Sequence, residues 1–116
     1  MSILTQIPLD KRLHLAAGFI VAVAVCLAHW LVPSVSFTSW LLALTCPQVL
    51  LVAVGASALA GAAKEAYDWV YNAYAQAHGL PPPHSVDPWD WVATTLGGVL
   101  FAACISIVMF AGWLSC

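Results

Sequence analysis

Charge is what this chain has least of. Eight of its 116 residues are Asp, Glu, Lys or Arg: Asp10, Lys11, Arg12, Lys64, Glu65, Asp68, Asp87 and Asp90. Soluble domains are about 25% charged, whereas this chain is 7% charged and 63% hydrophobic. A chain this short and this apolar cannot keep a water-facing surface around one core, so the class it points to is a single-domain integral membrane protein. Only three residues are basic and the net charge is −2, which excludes the basic stripe that a nucleic-acid partner requires. Four cysteines occur, without the spacing of a metal or redox motif. Cys26, Cys46, Cys104 and Cys116 form no C-x-x-C pair and have no zinc-ligand spacing, so they read as small apolar residues. No G-x-S-x-G or H-E-x-x-H motif occurs, and no internal repeat or low-complexity tract is visible.

Long apolar runs are plentiful. Leu13 to Val32 can cross a bilayer, because about 20 helical residues rise about 30 Å. A second stretch from Trp40 to Ala63 is interrupted by Pro47, and proline is best tolerated at a helix start. The second helix is therefore expected from Pro47, after a short lead-in over residues 37–46, and is expected to extend past the membrane through "KEAYDWVYNAYAQAH". "GLPPPHSV" cannot continue a helix. The run from Trp91 to Leu114 is the third. The expected fold is an all-α bundle of three transmembrane helices, with spans near 13–32, 47–66 and 91–113 and a polar linker over 77–88.

A secretory signal over the first run fits poorly. The run is long for that purpose and no A-x-A cleavage site follows it. Lys11, Arg12 and Lys64 fall on one side of a three-span protein, which predicts a cytoplasmic N-terminus and a C-terminus on the periplasmic side of a bacterial inner membrane. The six tryptophans fall at the expected boundaries: Trp69, Trp89 and Trp91 on the charged side, Trp30, Trp40 and Trp113 on the other.

With three spans, all eight charges meet at one membrane face. Helical spacing places Asp10, His14 and Gly18 on one face of the first helix, Ser57, Gly61, Lys64 and Asp68 on one face of the second, and Asp90, Thr94 and Gly97 on one face of the third. Each face passes from charged residues to small ones, and small residues let membrane helices approach closely. The expectation is a polar nest of Asp10, His14, Lys64, Glu65, Asp68, Asp90 and Thr94, with Lys64 paired to Asp68 and Asp10 to His14. Glu65, Asp68 and Asp90 are candidate ligands for a hard cation such as Mg²⁺ or Ca²⁺. His14, Lys64 and Glu65 are the catalytic candidates if the protein is an enzyme. Asp87-Pro88-Trp89-Asp90 also reads as a helix start, with Asp87 as its N-cap. His29, His78 and His84 read as bystanders, and Asp10, Lys11 and Arg12 also read as a simple topology signal.

Three blocks, "LDKRLHLAAG", "GAAKEAYDW" and "HSVDPWDWVATTLGG", carry a resemblance. Together they resemble the YfiM-like small envelope proteins of bacteria and phages and, more distantly, VanZ-like membrane proteins. The matching positions are Asp10, Lys11, His14, Gly18, Lys64, Glu65, Asp68, Asp90, Ala93, Gly97 and Gly98, with Thr94 standing where those groups often have Asn or Asp. The resemblance implies an envelope role and no settled activity. Three readings of function follow. The first is an accessory membrane protein whose nest binds a cation, a lipid headgroup or a protein partner. The second is a metal-dependent hydrolase of lipid phosphates. The third is a phage or envelope lysis-associated protein.

Overall fold

The computed structural model describes residues 7–31 and 45–111 and is helical, with no strand among them. Three helices pack against one another: α1 (Leu9–Leu31), α2 (Cys46–Ala77) and α3 (Pro88–Phe110). All three are long and apolar enough to cross a membrane. The lead-in over residues 37–46 lies, up to residue 44, outside the described residues, as do Val32, Trp40, Trp113 and the side chain of Trp30.

The helix ends follow local chemistry. The α2 N-terminus is set by Thr45, whose backbone N–H donates to Gln48 Oε1 at 2.8 Å, and by Pro47 in the first turn. At 32 residues, α2 is about 48 Å long, well beyond the roughly 30 Å of a bilayer core. Its wet extension ends where Gly79 turns to φ +69°, with Gly79 N–H on Gln76 O and Leu80 N–H on Ala75 O. That pair of bonds closes the helix with a left-handed glycine just past its last turn. Asp87 starts α3 as expected and accepts Trp89 N–H at 3.0 Å. α1 begins at Leu9, four residues ahead of the apolar run, and carries Asp10, Lys11 and Arg12, in keeping with the face expected to join Asp10, His14 and Gly18.

The interior inverts the usual partition. Buried residues include Ser57, Asp68, Asp90 and Thr94, while Leu51, Leu59, Ile107 and Phe110 are exposed. Polar inside and apolar outside is the arrangement expected when the solvent is lipid. Small residues make the inner faces possible. A β-carbon on Gly18 would overlap the Thr94 carbonyl, and one on Gly97 would overlap the Leu15 carbonyl and stand 2.8 Å from Phe19 N. α1 and α3 therefore touch backbone to backbone. Ser57 of α2 closes the third side, donating to Gly18 O at 2.8 Å and facing Gly98. Toward the uncharged end, Ala22, Ala53 and Phe101 form a small apolar core, with Phe19 edge-on to Phe101 at 5.3 Å.

The cysteines divide. Cys26 is half-buried and Cys104 exposed on the outer face, both as free thiols. Cys46 is disulfide-bonded, which corrects its reading as a plain apolar residue.

Candidate functional site

Each helix delivers charge to the same place. From α1 come Lys11 and His14, from α2 Lys64, Glu65 and Asp68, and from the start of α3 Asp87, Asp90 and Thr94. The glycine contacts one or two turns deeper bring these helix ends together, so the polar side chains meet where the backbones are closest.

Asp90 is the hub. The residue is 5% exposed and accepts from both lysines. Lys64 Nζ lies 3.1 Å from Asp90 Oδ2, and Lys11 Nζ bonds Asp90 Oδ1. His14 Nε2 lies 3.3 Å from Asp90 Oδ2. Lys11 also bonds Asp87 and stands 3.4 Å from Asp10. Lys64 reaches Glu65 at 3.0 Å and Asp68 at 2.8 Å. Each ammonium thus faces three carboxylates, and an ammonium has three N–H bonds to give. Glu65 joins the linker to the network by accepting Asp87 N–H at 3.0 Å.

The linker is fixed on its other flank as well. Asn72 grips the His84 backbone through both sides of its amide, Nδ2 to His84 O at 2.7 Å and His84 N to Oδ1 at 3.2 Å. The His84 ring is then placed 3.9 Å from buried Asp68 and against Tyr71, with a centroid separation of 5.6 Å.

All seven expected nest residues come to this end of the bundle, although Asp10 stays at the rim with its side chain 59% exposed. Lys64 pairs with Asp68 as expected. The Asp10–His14 pair does not form; His14 turns to Asp90, and Asp10 lies nearer Lys11. Glu65, Asp68 and Asp90 do converge, but on the Lys64 ammonium rather than on an open position, and no cluster of three His, Cys, Asp or Glu side chains suited to a metal occurs among the described residues. A lysine occupies the place that a cation would need. Lys11, Asp87 and His84 take a larger part in the network than their sequence positions suggest. Lys11 is a central donor, and Asp87 is both a cap and a ligand to that donor. Their nearness in number to the nest residues was the signal available.

The catalytic candidates are all engaged within the network. His14 lies between Asp90 and Thr94, with Nδ1 3.5 Å from Thr94 Oγ1. The Thr94 hydroxyl is buried and donates to Asp90 O at 2.8 Å, so its proton is already committed within α3. Lys64 has its donors spent on carboxylates, and Glu65 is held by Lys64 and Asp87 N–H.

Asp87 lies just ahead of the α3 span. Its carboxyl is held below the usual carboxylate range, first by the Lys11 hydrogen bond and next by Trp89 N–H. A depressed folded-state pKa stabilises the fold above the ordinary carboxyl value and loses that contribution as pH falls through the folded value. Melting curves in detergent will therefore decline on acidification below about pH 4, the ordinary Asp pKa. Asp87→Asn, which keeps a good N-cap, will make that acid limb shallower. An unchanged limb would assign the acid response to other carboxylates.

Compared with family models, with curated proteins and with solved structures, the chain matches none.

Proposed function

We propose that this is a small accessory protein of the bacterial inner membrane whose acidic rim binds the ammonium group of a lipid headgroup at the cytoplasmic interface. The observation that carries the reading is the charge balance of the network. Lys11 and Lys64 are surrounded by Asp10, Glu65, Asp68, Asp87 and Asp90, so carboxylates outnumber ammoniums five to two. Each lysine already faces three carboxylates, whereas the Asp10 and Asp87 side chains, 59% and 35% exposed, stand at the rim. Arg12, exposed on the same first turn of α1 as Asp10, would meet the headgroup phosphate.

Two further observations support the setting. Lys11, Arg12 and Lys64 share one end, which favours a cytoplasmic placement of that end. Cys46 begins α2 at the other end and is disulfide-bonded, as expected on the oxidising side of the membrane. The residues behind the YfiM-like resemblance gather in this network and in the glycine contacts beneath it, which supports an envelope role of that kind. The hydrolase reading is weaker, because Lys64 cannot greet a phosphate without leaving its carboxylates.

The test is lipid retention by the purified chain in nanodiscs made from equal amounts of phosphatidylethanolamine and phosphatidylglycerol. Native mass spectrometry will show the amine-bearing lipid retained roughly tenfold over the other, the ratio given by about 1.4 kcal/mol of differential binding. The double variant Asp10→Asn, Asp87→Asn will erase the preference. Equal retention of both lipids by the unaltered chain rejects this function.

A further inference from the structure

The end of the bundle remote from the charges holds a different feature. The last turns of α1, the first turns of α2 and the last turns of α3 leave a part-enclosed cavity of about 250 Å³ between them. Val23, Leu50 and Phe101 line its inner part, and His29, Cys46 and Met109 its outer part. From Val23 to His29 the α1 wall rises about 9 Å. The cavity therefore runs from near the membrane surface toward the bilayer centre, where the Ala22, Ala53 and Phe101 core closes it.

Among the described residues its walls are apolar save for one group. His29 brings an imidazole to the outer part, and its Nδ1 is buried without a hydrogen-bond partner among the described residues. A buried polar atom left unpaired is costly, and such groups call for a partner. Apolar cavities exclude water, and one of only about 150 Å³ already holds a benzene. Walls that take hydrocarbon, a polar group at the mouth and an axis along the membrane normal are together the profile of an amphiphile lying head outward.

We propose that this cavity binds one hydrocarbon chain carrying an oxygen-bearing head, a carboxyl, hydroxyl or ester, with the chain directed toward Phe101 and the head at His29. The site is independent of the headgroup rim at the opposite face. Free long-chain acids and the acyl chains of bilayer lipids share this chemistry, and the experiment separates them.

The full chain, held in a short-chain detergent, is titrated with dodecanoic acid and followed by native mass spectrometry, with dodecane as the headless competitor. One acid per chain is expected, preferred over dodecane by roughly fivefold, as one net hydrogen bond provides. His29→Leu will bring the two within twofold of each other. Val23→Phe and, from a second helix, Leu50→Phe fill the inner part and will each weaken binding about tenfold or more while circular dichroism stays unchanged, since burial of apolar chain is lost. If no acid binds but one phospholipid co-purifies per chain and is lost in the filling variants, the same site is served by bilayer lipid. Folded filling variants that bind like the unaltered chain, a His29→Leu variant with an unchanged preference, or a chain that retains neither ligand each overturn the proposal.

Discussion

Replacing Asp90 with Asn will lower the unfolding free energy of the bundle by about 2 kcal/mol, the scale of losing a buried hydrogen bond to a charged group. The expectation rests on what the change leaves behind. Asp90 is 5% exposed and is the group shared by Lys11 and Lys64. An amide in its place is nearly isosteric but cannot balance two ammoniums. Lys11 keeps Asp87, and Lys64 keeps Glu65 and Asp68, so each remains paired, but the single carboxylate that both lysines share is gone. The matched control is Asp10→Asn. Its carboxylate is largely exposed, 3.4 Å from Lys11, and exposed pairs contribute less than about 1 kcal/mol. Unfolding by denaturing detergent, followed by tryptophan fluorescence, measures both. Equal losses at positions 10 and 90 would mean that Asp90 is no hub.

Gly97→Ala is expected to be comparably damaging, at about 2 kcal/mol or more. The added methyl would overlap the Leu15 carbonyl and approach Phe19 N to 2.8 Å, and both are backbone atoms that cannot rotate away. α1 and α3 would have to separate, which would also draw Lys11 and His14 away from Asp90. Gly55→Ala makes the comparison sharp. Nothing lies within 4 Å of the β-carbon there, so the substitution will be neutral or stabilising by up to about 1 kcal/mol, the ordinary helix preference of alanine over glycine. The same unfolding assay, run on the two variants side by side, separates contact from propensity. Similar losses in both would indicate that helix stiffness, and not the α1–α3 crossing, sets stability.

The spans and the inward faces were legible because hydropathy and helical spacing are properties of single helices. Ser57, Gly61 and Asp68 are buried together on α2, and Asp90, Thr94 and Gly97 on α3, as their spacing of three and four predicts. The spacing of Asp10, His14 and Gly18 placed Asp10 on α1, but hydropathy alone did not mark its first residue. An apolar run marks where lipid begins, whereas the helix begins where hydrogen bonding does, and Arg12 N–H already bonds Pro8 O at 3.2 Å. Partner choice was hidden for a related reason. Spacing says that Asp10 and His14 share a face, but it does not say which helix arrives opposite them. Asp87 was readable as a cap from Asp-Pro-Trp-Asp, and nothing in that motif reveals the lysine 76 positions earlier that shares it. His84 escaped notice because Asn72, twelve residues away, positions it through the backbone.

The grouping of Lys64 with Glu65 and Asp68 on one helix bears on how the chain is made. α2 is synthesised before α3, and its lysine already has two carboxylates of its own, at positions +1 and +4. α2 can leave the translocon with its charge neutralised locally and wait there. Lys11 has only the exposed Asp10 until translation reaches residues 87 and 90. The first helix is thus the unfinished one during biogenesis, and the arrival of the third completes both older segments at a single carboxylate.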